Sequence, residues 1–188
     1  MAISLKLAAA PSDEEVLEIS ARNPGYQFER SAGGELIVTP TGTEAGRQEG
    51  EVFGQLYQWA KADGRGVAFG PSTGFHMPDG ALLSPDASWV RRDRWQALTA
   101  SQQQDYAPLC PDAVFEVASP SDSLAHLRRK MRSYLANGTR LAVLVDPNRR
   151  AVEIYVPDRD PKVLDSARAV SLDPVLPGFT LDLEPIFS

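Results

Sequence analysis

Cysteine, histidine and long apolar runs are scarce in this chain of 188 residues. The single cysteine, Cys110, cannot close an internal disulfide. With only His76 and His126 beside it, the sequence has no zinc cluster of standard ligand spacing. No apolar run approaches the roughly 20 residues that cross a bilayer, and residues 1–10 lack the pattern of a secretion signal. These absences favour a cytoplasmic protein that has no membrane partner.

Positive charge is also in short supply, since 25 Asp and Glu residues outnumber 19 Lys and Arg residues and the net charge is −6. This balance argues against nonspecific coating of nucleic acid, which depends on many contacts between basic side chains and phosphates. It still allows a nuclease with a local basic rim, because the field at the cleft matters more than the total charge.

Several common catalytic motifs are missing or misplaced. The sequence has no phosphate loop of the Gly-x-x-x-x-Gly-Lys type and no Gly-x-Gly-x-x-Gly fingerprint. Ser119 and Ser121 suggest a serine hydrolase, but neither lies in a Gly-x-Ser-x-Gly elbow. A small-molecule hydrolase that uses one of these serines is therefore the lowest-ranked alternative.

Two acids stand inside strand-like apolar segments. Glu116 lies in Val114-Phe115-Glu116-Val117, and Asp86 precedes Ala87-Ser88-Trp89-Val90. Charged side chains are rarely buried unless they are paired or bind a metal. If the two strands are neighbours, both acids can meet at one end of a sheet and hold a hard cation such as Mg²⁺, which prefers oxygen ligands. The simpler alternative is that each acid forms an ion pair at a strand end.

A basic helix is predicted over residues 122–137, with Ser121 or Asp122 as its cap and Gly138 at its end. Lys130 and Arg128 lie at opposite edges of its apolar stripe, so the periodicity offers either one to the sheet. A compact, titratable ammonium suits the positioning of a water molecule, which favours Lys130. Alternatively, Lys130 only lies along the helix flank.

The other patterns predict a single α/β domain with a mixed sheet over residues 1–188. A short helix capped by Ser12 belongs to an N-terminal helical extension, residues 1–25, and a hairpin follows around Gly33-Gly34. A long helix extends to about Ala62 and carries Glu49 on its apolar stripe, unless the register of that helix is different. Further strands are predicted at residues 67–69, 74–76, 81–83, 86–91, 113–118, 141–145 and 152–156, with an edge strand in the tail.

A series of short motifs resembles the Uma2 family of restriction-endonuclease-like proteins, from about Tyr26 to the C-terminus. Each motif is weak alone, and their order and number carry the resemblance. The motifs are Thr41-Gly42-Thr43-Glu44-Ala45-Gly46-Arg47, Thr73-Gly74-Phe75, Pro78-Asp79-Gly80, Ser84-Pro85-Asp86-Ala87-Ser88, residues 115–122, residues 130–138, Val145-Asp146-Pro147 and Leu176-Pro177-Gly178-Phe179.

The resemblance implies a restriction-endonuclease-like α/β fold, in which helices flank a mixed central β-sheet, and the chemistry of PD-(D/E)XK nucleases. These enzymes cut phosphodiesters with Mg²⁺, for which Mn²⁺ can substitute. The resemblance implies Asp86 and Glu116 as metal ligands, with the backbone carbonyl of Val117 beside them. The parent pattern has lysine where this chain has Ala118, so the resemblance implies that Lys130 has taken over that role.

The resemblance also implies a further catalytic acid, Glu44, at the start of the long helix. Family members often carry histidine at the next position, where this chain has Ala45. That departure keeps open the alternative of a catalytically inactive, nuclease-like binding module. Arg128, Arg129 and Arg132 are predicted to guide the nucleic-acid backbone by charge. The implied substrate is DNA, and a homodimer is expected by analogy only.

Overall fold

A computed structural model describes residues 2–188 of the chain, which form thirteen strands and six helices. The helices are α1 (Asp13–Arg22), α2 (Thr43–Asp63), α3 (Arg92–Gln96), α4 (Ala100–Gln104), α5 (Leu124–Ala136) and α6 (Glu184–Phe187). The strands are β1 (Ile3–Leu5), β2 (Tyr26–Arg30), β3 (Leu36–Pro40), β4 (Gly66–Phe69), β5 (Phe75–His76), β6 (Leu82–Leu83), β7 (Ala87–Arg91), β8 (Ala113–Val117), β9 (Leu141–Asp146), β10 (Ala151–Tyr155), β11 (Lys162–Asp165), β12 (Ala169–Ser171) and β13 (Thr180–Asp182).

The strands form a central sheet, an N-terminal sheet and a two-stranded ribbon. The central sheet has the order β11-β10-β9-β8-β7-β4, and the N-terminal sheet has the order β1-β3-β2-β6-β5. The central sheet is mixed, because β8 runs parallel to β9 while its other pairs are antiparallel. The parallel pair is joined by α5, as a crossover between parallel strands requires. The predicted mixed α/β architecture is confirmed.

One face of the central sheet packs against α2 and the C-terminal segment. The helix begins at Thr43 and ends close to the predicted Ala62, with Gly64 as its C-cap at a φ of 74°, which suits glycine. Its buried residues Val52 and Leu56 contact a core that also contains Phe115 from β8 and Phe179 from the C-terminal segment. Full burial of an aliphatic or phenyl side chain contributes about 1.5–3 kcal/mol, so this contact fixes α2 against the sheet.

The opposite face of the sheet packs against α5. Leu127, Met131 and Tyr134 share a core with Val114 and Leu144, which are buried on β8 and β9. Side chains alternate along a strand, so Val114 and Glu116 project from the same face of β8. Glu116 therefore points toward α5, and the packing of α5 decides what this acid contacts.

The N-terminus of α5 differs from the sequence prediction. Its cap is Ser123, which makes no side-chain capping bond. The Asp122 carboxylate instead accepts hydrogen bonds from the Ser119 backbone N–H at 2.9 Å and the Ser119 hydroxyl at 2.7 Å. The prediction of Ser121 or Asp122 as the cap was wrong, because the short Asp122 side chain closes the Ser-Pro turn that precedes the helix.

Residues 1–25, predicted as a helical extension, contain α1 and also the strand β1. Strand β1 pairs with β3 at the edge of the N-terminal sheet. Helix α1 has the predicted Ser12 cap, completed by Glu15 in a capping box. The predicted hairpin is confirmed, with β2 paired antiparallel to β3. Within residues 2–188, no helix combines the length and the apolar character needed to cross a membrane.

Candidate active site

The pairing of β7 with β8 brings Asp86 and Glu116 together. Ala87 lies opposite Phe115 in the antiparallel register, and the same register continued by one residue sets Asp86 opposite Glu116. Side chains opposite each other in an antiparallel pair have Cβ atoms about 4.5–5.5 Å apart. Asp86 is only 7% exposed and Glu116 only 4% exposed. The Val117 backbone N–H donates to Asp86 Oδ2 at 2.7 Å, which holds the first acid against the strand of the second.

Lys130 reaches this pair from α5. Its ammonium lies 2.8 Å from Glu116 Oε1, and its side chain is 9% exposed. The Tyr134 hydroxyl, one helical turn later, donates to the same Glu116 oxygen at 2.9 Å. The sequence offered Lys130 and Arg128 as alternatives, and the structure places Lys130 at the sheet.

A third carboxylate, Glu29, comes from strand β2 of the N-terminal sheet. Its Oε1 lies 2.8 Å from the Lys130 ammonium and accepts a hydrogen bond from the Ser84 backbone N–H at 2.6 Å. Glu29 is 5% exposed. Sequence reasoning missed this residue, although the signal was the one used for Glu116: an acid in the middle of a strand beside a large apolar residue, here Phe28.

The acids and the ammonium face one cavity at the end of the central sheet. The cavity lies between the start of α2, the N-terminal sheet and the start of α5. Its lining includes Asp86, Glu116, Lys130 and Glu29, together with Glu49, Asp122 and His126. Asp86, Glu116, Glu29 and Glu49 therefore surround one lysine ammonium, and ionisation of all four acids would leave an excess of negative charge.

Burial and mutual repulsion shift the pKa values of these groups. Burial and the charges of Glu116 and Glu49 raise the pKa of Asp86 well above its ordinary value. Burial raises the pKa of Glu116 to about 7, although Lys130 opposes the rise. Burial, with help from the Asp122 charge, also raises the pKa of Glu49. Such shifts mark carboxylates whose negative charge lacks full compensation in the protein alone.

The pKa of Lys130 shifts in the direction that keeps its charge. Burial alone would lower this pKa, but the charges of Glu116, Glu29 and Asp86 outweigh burial and raise it above the ordinary value. Lys130 is therefore an ammonium at any pH at which the protein works. It can donate hydrogen bonds and offset negative charge, and it is a poor base.

The structure does not bring Glu44 to this cavity. The Glu44 side chain is 63% exposed and forms an ion pair with Arg47 at 2.6 Å. An α-helix turns by about 100° per residue, so Glu49, five residues later, faces a different side. Glu49 lines the cavity, and its position on the apolar stripe of α2 reflects a correct helix register. The sequence had offered an error of register as the alternative.

The three arginines of α5 are not equivalent. Arg128 Nε lies 3.0 Å from both carboxylate oxygens of Glu153, so its guanidinium is held in an ion pair at the far edge of the helix. Arg129 and Arg132 are exposed and form no ion pair with any residue from 2 to 188. The last two are the arginines with charge available for a phosphate backbone.

A Gly-x-Ser-x-Gly sequence, Gly70-Pro71-Ser72-Thr73-Gly74, is a motif that sequence reasoning overlooked. Ser72 has a positive φ of 68°, a strained value of the kind found at nucleophile elbows. However, this turn connects β4 to β5, with no helix after it. The cavity beside Ser72 includes no histidine among its lining residues. The elbow pattern therefore lacks both the context and the base that it needs.

The fit of a metal ion can be judged from the donor set. Within residues 2–188, no group of three or more His, Cys, Asp or Glu side chains is arranged to hold a metal ion. Mg²⁺ needs fewer, since it usually takes one or two protein carboxylates and completes its octahedron with water and substrate phosphate. Asp86 and Glu116 meet that need, and a divalent cation would favour the ionised forms that burial disfavours.

Solved structures support the fold assignment. A crystal structure described as "a putative nuclease belonging to DUF820" from Anabaena variabilis ATCC 29413 matches with a TM-score of 0.77 and 18% identity, covering 94% of this chain and 97% of the other. The "cryoEM structure DrdV-DNA complex" matches with a TM-score of only 0.37 and 14% identity, covering 58% of this chain and 9% of the other. Among curated proteins, none matches this chain.

The α/β fold in which helices flank a mixed sheet is therefore shared with a solved nuclease-like protein, as predicted. The family model described as "Putative restriction endonuclease" matches residues 13–184, which include both strand acids, Glu29 and Lys130. The chain belongs to the Uma2 family.

Proposed function

We propose that this protein is a Mg²⁺-dependent endonuclease that hydrolyses phosphodiester bonds in nucleic acid, with DNA as the substrate. The observation that carries the proposal is the convergence of Asp86, Glu116 and Lys130 on one cavity from three separate elements. Membership of the Uma2 family, whose description is "Putative restriction endonuclease", supports the same activity.

Asp86 and Glu116 are the residues that would hold the metal, with the backbone carbonyl of Val117 as the predicted third protein ligand. When bound, Mg²⁺ polarises a phosphoryl oxygen and lowers the pKa of bound water. Mn²⁺ is expected to substitute, because it takes the same oxygen ligands. The hydrogen bond from Val117 N–H to Asp86 fixes one carboxylate oxygen, and the Tyr134 hydroxyl fixes one oxygen of Glu116.

Lys130 acts as a fixed cation beside the reacting phosphate. Its raised pKa keeps it protonated, so it serves by donating hydrogen bonds. An ammonium in that position orients the attacking water or stabilises the negative charge that develops on the phosphate. Glu29 positions Lys130, because it holds the same ammonium from the N-terminal sheet at 2.8 Å.

Glu49 takes the place on α2 that sequence reasoning gave to Glu44. It lines the cavity from α2, whereas Glu44 is held outside by Arg47. The burial that raises the pKa of Glu49 lets it keep a proton at higher pH than an exposed glutamate does. Arg129 and Arg132, exposed on α5, supply the basic rim for the nucleic-acid backbone.

The test is cleavage of supercoiled plasmid and of circular single-stranded DNA by the full chain, with Mg²⁺, with Mn²⁺ and with EDTA. Asp86→Asn and Lys130→Met remove one metal ligand and the cation. Asp165→Asn, an exposed change on β11, is the matched control. Metal-dependent cleavage by the wild type and by Asp165→Asn, and loss of at least a hundredfold in the other two, is the expected result.

Equal cleavage by all four proteins would mean that the activity comes from a contaminant or from another site. Binding of DNA without any cleavage by the wild type would favour the alternative, a nuclease-like binding module without catalysis.

A further inference from the structure

A second cavity lies on the other side of Lys130, between α5 and the N-terminal sheet. The wall formed by α5 consists of His126, Arg129, Lys130 and Ser133. Their spacing of three, four and seven residues places them on one face of the helix. The facing wall consists of Glu29, Ser31, Ala32, Ile37, Ala81 and Leu83. Helix α5 thus buries one face in the core and presents its next face to this cavity.

The two cavities adjoin each other. Glu29, Ile37, His126 and Lys130 line both of them. A ligand with one group beside the Lys130 ammonium would therefore have its neighbouring group close to the second cavity, separated from it only by the side chains that line both.

The chemistry of the second cavity differs from that of the first. Ile37, Ala81 and Leu83 are buried and form an aliphatic floor. Ser133 makes no side-chain hydrogen bond within residues 2–188, so its hydroxyl is available. Arg129 adds an exposed guanidinium at the rim. An apolar pocket with a few polar groups suits a small organic ring rather than an ion.

The size of the second cavity limits its occupant. Its volume is about 140 Å³, below the ~300 Å³ that marks the lower end for drug-sized ligands. A single heterocyclic base fits this limit better than a complete nucleotide. The charged phosphate would stay outside, next to Lys130 and Arg129, where the cations lie.

We infer that this second cavity binds the unpaired base of the nucleotide next to the phosphodiester that is cut. The inference rests on the proposed function and deepens it, because it names the form of the substrate. A base in a duplex is stacked and paired, and it enters a protein pocket only if it is extruded at a cost of a few kcal/mol. The site therefore prefers single-stranded or locally unpaired nucleic acid over intact duplex.

Filling the cavity tests this inference directly. Ser133→Leu fills it from α5, and Ala32→Leu fills it from the opposite wall at an exposed position where folding is not at risk. Ala125→Leu makes a similar change on an exposed part of α5 outside both cavities. Each variant is compared with the wild type for binding of a fluorescein-labelled single-stranded decamer and of a longer blunt-ended duplex. Both probes are measured with Ca²⁺ in place of Mg²⁺, and a gel confirms that the DNA stays intact.

Both filling variants are expected to weaken binding of the single strand by about tenfold, which is the size of one base contact, and to leave duplex binding unchanged. Ala125→Leu is expected to bind like the wild type. A single abasic site placed along the decamer should reproduce the loss at one position in the wild type and have no effect at that position in Ser133→Leu.

Unchanged single-strand binding by both filling variants would overturn the inference, and so would an equal loss for single strand and duplex. Failure of the proposed function would give a different result. If the wild type cuts no DNA but both filling variants still lose single-strand binding, the base site is present and the nuclease activity is not.

Discussion

Replacement of Glu29 by glutamine offers a test that separates an electrostatic role from a structural one. The introduced amide can still accept the Ser84 N–H through its carbonyl oxygen, so the strand contact survives. The negative charge beside Lys130 and Glu116 disappears. Since the charge of Glu29 raises the pKa of Glu116, its removal is expected to lower that pKa from about 7.

The size of the shift follows from the geometry. Glu29 Oε1 and Glu116 Oε1 both lie 2.8 Å from the same ammonium, so they are no more than about 5.6 Å apart. At an effective dielectric constant of about 20, two charges ~5 Å apart interact by about 3 kcal/mol, or about two pKa units. Because Lys130 lies between them and reduces their repulsion, the expected decrease is about one to two units.

The assay is the affinity for Mn²⁺ between pH 5 and 8.5, measured by the electron paramagnetic resonance of free Mn²⁺. A metal displaces the protons of its ligands, so protonation of Glu116 lowers the affinity about tenfold per pH unit below its pKa, and protonation of Asp86, whose pKa is also raised, adds to the fall. A plot of the logarithm of the Mn²⁺ affinity against pH should therefore change slope at the pKa of Glu116. This break should occur near pH 7 in the wild type and between about pH 5 and 6 in Glu29→Gln. Glu35→Gln, in the same hairpin but outside the cavity lining, serves as the control and should keep the break of the wild type.

A folded Glu29→Gln protein whose break stays at the wild-type pH, or moves upward, would contradict this electrostatic interpretation. The assay does not depend on cleavage, so it tests the electrostatics even if the substrate remains unknown.

Three further predictions concern the buried cluster of Glu29, Glu116, Lys130 and Tyr134. Lys130→Met is expected to lower the free energy of unfolding by about 3–5 kcal/mol, since it leaves Glu29 and Glu116 buried without their cation; Arg128→Met, which breaks a more exposed ion pair, should cost less. Tyr134→Phe removes a hydrogen bond that lowers the pKa of Glu116, so the break in Mn²⁺ affinity should move to higher pH. Without metal, the protein should be about 2 kcal/mol more stable at pH 5.5 than at pH 8.

The sign of the last prediction follows from the protonation of Glu116, with Asp86, whose pKa is also raised, acting in the same direction and His126, whose pKa is lowered by burial, acting against them. Its pKa is about 7 in the folded state against 4.5 ordinarily, so between these values the folded state binds the extra proton and stability rises as pH falls. Asp63 and Glu153, whose pKa values are lowered by ion pairs with arginine, lose stability only at still lower pH. Urea unfolding at the two pH values measures the difference, and Mg²⁺ should add stability at pH 8 but little at pH 5.5.

The outcomes that would contradict these predictions are distinct. Equal stability of Lys130→Met and Arg128→Met would show that the buried ammonium is not needed for charge balance. A Tyr134→Phe break at the wild-type pH would mean that its hydroxyl does not tune Glu116. Greater stability at pH 8 than at pH 5.5 without metal would mean that the raised pKa of Glu116 does not govern the pH dependence of stability.

Local patterns predicted the elements that carry most of the candidate site. The apolar run around Glu116 predicted β8, and the spacing of Leu127, Met131 and Tyr134 predicted α5 and its buried face. The requirement that β7 and β8 be neighbours came from chemistry, because a buried acid needs a partner. The structure meets that requirement through the register of these strands.

The features of the site that the sequence did not predict depend on contacts between distant segments. Glu29 reaches Lys130 only because the N-terminal sheet packs beside α5, and no local pattern encodes that packing. The choice between Glu44 and Glu49 depended on which side of α2 faces the sheet. The strands β1, β11 and β12 have three or four residues each, mostly exposed, and carry little alternation from which to infer them.

The proposed chemistry depends above all on Asp86 and Glu116 holding one divalent cation between them. Crystals of the wild-type protein can be soaked in Mn²⁺ at pH 8 and measured for anomalous scattering. We expect one anomalous peak in contact with carboxylate oxygens of both residues, with Lys130 next to it. A peak bound elsewhere, or none in this cavity at a Mn²⁺ concentration that supports cleavage, would show that these two acids do not form the metal site.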